Sequence, residues 1–219
     1  YEIPLRLVGS EMCIRDRCNL RKIVTLSWLN IENSPNIFYL TMTAEEIIFK
    51  YYPEDNALRR LLLHHSHQVA DMALAVADRH PELHLDRDFL YRASMLHDVG
   101  IFLTDAPAIH CFGKAPYLIH GRLGAELMRE EGDEKTARVC ERHTGTGLTA
   151  ENIRTQNLPL PPGDYLPETL EEQVVCYADK FFSKSHPERT RTPEQVAKSL
   201  AKFGEAGVEK FWEWQRRFG

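Results

Sequence analysis

Leu96-His97-Asp98-Val99-Gly100 sets an imidazole and a carboxylate side by side where a buried helix face should carry hydrocarbon. Leu90, Ala93, His97 and Gly100 recur at three- and four-residue steps, the spacing of a stripe that faces a core. The same intrusion of polar groups repeats outward along the chain. Leu58, Leu62, Val69, Met72 and Val76 form a stripe whose missing step falls on His65, with His64 and His67 to the side of it. His120, Leu123 and Leu127 share one face, and Val139, Cys140 and His143 share another. Val175, Cys176, Asp179 and Phe182 place a carboxylate among apolar neighbours.

The segments that carry these residues read as helices. Asp55 is the expected cap of a long helix running to about His80, where Pro81 stops it. Asp86 opens a second that ends near Gly100, and a third runs from about His120 to Gly132. Asp133 caps a fourth that reaches His143, and Thr149 starts a short fifth. A proline-rich connector over 159–167 precedes a helix from Glu168 to Lys184. Thr192-Pro193-Glu194-Gln195 is a capped helix start, and Gly204 and Gly207 break that helix before the Trp212/Trp214 tail. No stretch alternates with period two, so the expected fold class is all-α.

A lone histidine on an apolar face is usually a satisfied core residue. Five segments each turning a His or Asp inward pose a different problem, because a buried carboxylate costs several kcal/mol unless it is paired. A shared cation satisfies His65, His97, Asp98, His120, His143 and Asp179 together. Four imidazoles and two carboxylates suit divalent Mn, Fe, Co or Zn, and they lack the thiolates of a structural zinc site. Six donors exceed what one ion with an open position needs. They suit two ions bridged by a carboxylate.

Composition narrows the partners. The 219 residues carry 27 basic and 32 acidic side chains, a net charge of −5, with no basic run to neutralise a phosphate backbone, so nucleic acid is not the expected partner. No stretch approaches the roughly 20 apolar residues of a membrane span. Five cysteines at irregular gaps give no disulfide framework and suit a reducing cytoplasm. Residues 1–41 read differently from the rest: Leu7-Val8-Gly9-Ser10-Glu11-Met12-Cys13-Ile14-Arg15-Asp16-Arg17 resembles translated sequencing adapter. This segment is therefore expected to be a non-native or disordered extension, with a genuine extra strand or helix as the alternative. Met42-Thr43-Ala44-Glu45-Glu46 makes a plausible start, with Thr43 and Glu46 at capping-box spacing.

With these residues in view, the chain resembles the HD-domain superfamily of metal-dependent phosphohydrolases. His65-Ser66-His67-Gln68-Val69-Ala70 matches the first histidine, Leu96-His97-Asp98-Val99-Gly100 the doublet, and Tyr177-Ala178-Asp179-Lys180-Phe181 the distal aspartate. His120 and His143 are similar to the extra histidines of the two-metal branch. The resemblance implies an all-helical bundle over 42–190 with the metal site in its core, followed by a helical appendage over 191–219. It departs from the family where Ile101 and Phe102 stand in place of a common lysine, and it lacks the Gly-Tyr-Pro signature of the cyclic-di-GMP branch.

The activity so implied is hydrolysis of a small phosphate ester, a nucleotide among the options, by a hydroxide formed on the metal. Asp98 would bridge, with His65, His97 and Asp179 on one ion and His120 and His143 on the other. His97 and Asp98 carry the chemistry in this reading. With one ion, His120 and His143 become substrate contacts or general acids. Lys180 and Lys184 either contact phosphate or sit on a solvated face, and the same choice holds for Arg142. Gly145, in Thr144-Gly145-Thr146-Gly147, either offers backbone N–H groups to an anion or simply ends a helix. The loop from Ile101 to Leu118 is long enough to be a substrate lid, and Cys111 within it has no local base motif to make it a nucleophile. A di-iron oxygenase of the same fold and a non-catalytic ligand-sensing module are the competing functions.

Overall fold

Helix caps divide the chain where the sequence marks them, with instructive exceptions. The computed structural model describes residues 42–219, and the expected extension over 1–41 lies outside the described residues. Helices α1 (Ala44–Tyr51), α2 (Ala57–Arg79), α3 (Arg87–Leu96), α4 (His120–Glu130) and α5 (Glu134–Arg142) come first. They are followed by α6 (Ala150–Thr155), α7 (Leu170–Asp179), α8 (Pro193–Leu200) and α9 (Glu205–Phe218). Thr43, Thr149, Thr169 and Thr192 close reciprocal capping boxes, and Asp86 and Asp133 cap through their carboxylates.

Asn56, not Asp55, caps α2: its side-chain oxygen accepts from the Arg59 N–H at 3.0 Å, while Asp55 pairs with Arg60 at 2.9 Å. The helix expected over Glu168–Lys184 ends earlier, at Asp179, and the chain turns so that Phe182 bridges to Thr190. Gly204, at φ +119°, opens α9, whereas Gly207 lies inside that helix and does not break it.

The stretch from Ile101 to Leu118 holds a small three-stranded sheet, in strands too short to show alternation. β1 (Thr104–Ala106) pairs antiparallel with β2 (Cys111–Phe112) and parallel with β3 (Ala115–Pro116). The fold remains all-α in class.

Two apolar cores hold the helices. One gathers Val69, Leu90, Val139, Val175 and Tyr177 with Phe211 and Trp214 of α9; the other gathers Ile48, Leu62, Leu96, Met128 and Cys140. Helices α2, α3 and α5 contribute to both, which clamps them on two sides. On α4 the buried face is His120, Gly121, Gly124, Ala125 and Met128, not the expected face of His120, Leu123 and Leu127. Glycine explains the difference. A Cβ on Gly121 would stand 2.3 Å from the Cys140 carbonyl oxygen, and one on Gly100 would stand 2.3 Å from the Gly124 nitrogen. Backbone therefore meets backbone there, drawing the turn after His97-Asp98 onto α4, and α4 onto α5. Among the described residues no helix is long and apolar enough to cross a membrane.

Candidate metal centre

One local device aims three of the four imidazoles. His97 follows α3, His120 begins α4 and His143 follows α5, and each ring meets the carbonyl oxygen three residues earlier at 2.7 Å through Nδ1 (Ser94, Tyr117 and Cys140). A ring that donates Nδ1–H to a carbonyl presents a bare Nε2 lone pair on its far side. His65 comes from the middle of α2 and Asp179 from the last position of α7. All six side chains are buried.

The carboxylate of Asp98 divides the histidines into two pairs. Its Oδ2 lies 3.1 Å from His65 Nε2 and 3.0 Å from His97 Nε2. Its Oδ1 lies 3.2 Å from His120 Nε2 and 3.5 Å from His143 Nε2. Asp179 joins the first pair, with Oδ1 at 3.1 Å from His65 and 3.6 Å from His97. Two donor groups result: His65, His97, Asp98 and Asp179, and Asp98, His120 and His143. Within each group the ligand atoms lie within 4.8 Å of one another.

Cations fit what these atoms lack. Nε2 faces Nε2 at 3.3 Å between His65 and His97, and at 3.0 Å between His120 and His143. Opposed lone pairs at that distance repel unless a proton or a metal lies between them. Oδ1 of Asp98, though fully buried, faces the His120 and His143 rings and has no hydrogen-bond donor. An orphaned group of this kind costs a few kcal/mol in a dry interior. The donor set is nitrogen and carboxylate oxygen, as divalent Mn, Fe, Co or Zn prefer.

Electrostatics agree with the geometry. Burial would raise the pKa of Asp98, but His97, Lys184, His120 and His143 around it hold the carboxyl well below the usual range. Asp179 is likewise held down, against burial, by Lys180 and Lys184. Burial pushes His143 down to about 4, leaving a neutral ring. Burial would lower the pKa of His97, but the Asp98 and Asp179 carboxylates beside it raise it to about 9.

The two lysines are part of the centre. Lys184 Nζ lies 2.5 Å from Asp98 Oδ2, and Lys180 Nζ lies 2.7 Å from Asp179 Oδ2 while donating to the His143 carbonyl at 2.9 Å. Neither sits on a solvated helix face, because α7 stops at Asp179 and the following turn folds back. Arg142 is turned elsewhere: its guanidinium bonds to the Leu166 carbonyl and to Glu168, outside the lining of the cavity beside the cluster.

That cavity, of about 460 Å³, is lined by His120, His143, Asp179, Lys180 and Lys184, with Gly145 at φ +62° on its wall. Ala106, Ile109 and Tyr117 bring the 101–118 segment to its edge. Cys111 is buried in that segment, and burial pushes its thiol up to about 11. Two further lining residues escaped sequence reasoning. Tyr117 stacks on His120 at 4.6 Å between centroids, and its place three residues ahead of that histidine was the available signal. Arg191 also lines the cavity, and its place just before the α8 cap, twelve residues past Asp179, gave no signal.

A family model for the HD domain matches residues 62–183, more than half of the chain, and the chain belongs to that family. It is 38% identical over 118 residues to an uncharacterized protein of Methanocaldococcus jannaschii, a match covering 53% of this chain and 61% of that protein. It is 35% identical over 124 residues to a protein of Picrophilus torridus named tRNA (cytidine(56)-2'-O)-methyltransferase, covering 56% of this chain and 32% of that one. A protein of the same name from Thermoplasma volcanium is 30% identical over 139 residues, or 63% and 35% of the two chains. The chain thus spans about a third of each methyltransferase and under two thirds of the M. jannaschii protein. No solved structure matches it.

Proposed function

We propose that the protein is a metal-dependent phosphohydrolase that cleaves a small phosphate ester. The observation that carries this reading is the split of Asp98, one oxygen facing His65 and His97 and the other facing His120 and His143. A carboxylate so placed suits the bridge between two divalent ions. In this reading His65, His97, Asp98 and Asp179 hold one ion, and Asp98, His120 and His143 hold the second. Bound divalent ions would supply Lewis acidity, acidifying a water and neutralising phosphoryl charge.

The chain's own groups do the rest. Two carboxylates and two lysine ammonium groups already balance one another at the cluster. Added divalent charge therefore leaves the site strongly positive, which attracts a phosphate dianion. Lys184 and Lys180 face the cavity and can turn their ammonium groups from carboxylate to phosphoryl oxygen. Gly145, at positive φ on the same wall, offers backbone N–H close to the anion. The Nδ1 bonds of His97, His120 and His143 keep the rings from rotating as charge moves.

The name borne by two relatives describes proteins of which this chain matches about a third, and the donor set here suits hydrolysis, not methyl transfer. Phosphate release from a panel of phosphate esters, with Mn²⁺, Fe²⁺, Co²⁺ or Zn²⁺ added, tests the proposal. Release that stops with chelator supports it. Oxygen consumption with Fe²⁺ and no phosphate release would transfer support to a di-iron oxygenase, and silence across all metals and esters to a ligand-sensing module.

A further inference from the structure

The cavity beside the cluster does not end there. Thr144, Gly145 and Phe203 line it and also line a second cavity of about 570 Å³, so the two share a wall. Leu118, Leu148, Leu158, Leu166 and Leu200 give the second cavity a hydrocarbon lining. Leu200, Phe203 and Gly207 lie beyond residue 183, where the family match ends, so this chain's own C-terminal helices build the far wall. Phe203 stands at the shared rim with 71% of its surface exposed, an apolar group without a covering partner.

Three of the polar side chains that line the second cavity are already engaged. Thr149 Oγ1 donates to Asn152 Oδ1 at 2.9 Å within the capping box of α6, and Lys210 pairs with Glu213 at 3.1 Å. A site that selects a sugar or a base needs free, aimed donors and acceptors. Here Thr144, Thr146 and Gln156, spread along one wall, are the polar side chains left without such partners among the described residues, against five leucines.

Gly207 adds an independent observation. Glycine inside a helix costs about 1 kcal/mol relative to alanine, and its backbone here does not have the positive φ that would require it. A Cβ at this position would meet Thr146 Oγ1 at 3.2 Å, on the lining of the cavity. Gly207 keeps that space open.

We propose that the second cavity holds the organic group of the substrate, and that the substrate is a phosphate monoester of a predominantly apolar alcohol. This rests on the phosphate-ester reading above. The phosphate would sit among Lys180, Lys184 and the donor cluster, and the hydrocarbon would pass over Gly145 and under Phe203.

Alkylphosphonates, whose C–P bond is not hydrolysed, test the cavity without requiring turnover. Calorimetry on the full chain with Mn²⁺ should show octylphosphonate binding at least a hundredfold tighter than ethylphosphonate, since each buried methylene contributes roughly fourfold. Gly207→Leu should cut that preference at least tenfold; a ratio taken within one protein is not moved by a partly unfolded fraction. Equal affinities, binding of neither phosphonate, a preference unchanged in Gly207→Leu, or adenosine monophosphate binding tighter than octylphosphonate would each overturn the proposal. A preference that holds while no ester releases phosphate would leave the cavity assigned and remove the hydrolase reading instead.

Discussion

Lys184 Nζ stands 2.5 Å from Asp98 Oδ2, with the carboxylate buried and the lysine side chain 12% exposed. The ammonium group thus occupies one side of the same carboxylate that faces four imidazoles. Burial disfavours charge on both; Asp98 holds the pKa of Lys184 up, and His97 with Lys184 holds that of Asp98 down. A fixed positive charge at this place complements an anionic substrate and competes with a cation.

Lys184→Met keeps the apolar stem and removes the charge. Metal content should stay at the wild-type level, because a competing cation is gone and no donor is lost. The kcat/KM for phosphate release should fall at least tenfold, as expected for loss of a charge-assisted contact. Wild-type kcat/KM in the variant would remove Lys184 from substrate binding.

Divalent metal should stabilise the fold, because the donor atoms around Asp98 are brought within 4.8 Å of one another only in the native state. At a metal concentration of about one hundred times Kd the gain is about 2.7 kcal/mol. For a domain of this size that corresponds to a Tm about 5–10 °C higher than in chelator. Identical melting curves with Mn²⁺ and with chelator would contradict it.

Gly100→Ala should be severe although its backbone is ordinary, at φ −86°. The new Cβ would stand 2.3 Å from the Gly124 nitrogen and 2.5 Å from the His120 carbonyl, and neither is a side chain that can swing away. The expected cost is about 3 kcal/mol, the upper range of overpacking, with metal content falling as the Asp98 turn is pushed off α4. Gly124→Ala meets its nearest atom at 3.3 Å and should cost clearly less. Equal melting temperatures for the two variants would refute this account of the crossing.

Asp133 couples stability to pH away from the cluster. It caps α5 by accepting from the Thr136 N–H at 3.0 Å and pairs with Arg92 at 2.6 Å. Burial opposes its ionisation, but Arg92 and the Thr136 bonds prevail and lower its pKa. A depressed carboxylate adds stability that is present above its unfolded pKa, near 3.9, and is lost as pH falls through the folded value. Asp133→Ala should therefore cost about 1–2 kcal/mol at pH 7, and the gap from wild type should shrink in melts taken below about pH 3.5. A gap that is constant with pH would assign the loss to packing alone.

Much of the donor cluster was legible because a polar residue on an apolar stripe is conspicuous. His65, His97, His120, His143 and Asp179 each interrupt such a stripe, and burial makes the interruption costly. What stayed hidden depended on where elements end or how closely they approach. The place of Lys184 follows from α7 stopping at Asp179, which helical periodicity does not reveal. The buried face of α4 follows from Gly121 and Gly124, since periodicity counts side chains and not their absence. Strands β1, β2 and β3 are only two or three residues long, too short for a period-two signal. Arg142 turns toward Glu168 and Leu166, a choice made by a neighbour more than twenty positions away.

Counting metal by elemental analysis in wild type and in Asp98→Asn, after equilibration with Mn²⁺ and removal of the excess, bears most directly on the bridging role of Asp98. Two ions per chain are expected in the wild type and fewer than one in Asp98→Asn, with the melting profile in chelator preserved. Wild-type protein free of metal, or Asp98→Asn with its full two ions, would contradict a centre built around that carboxylate.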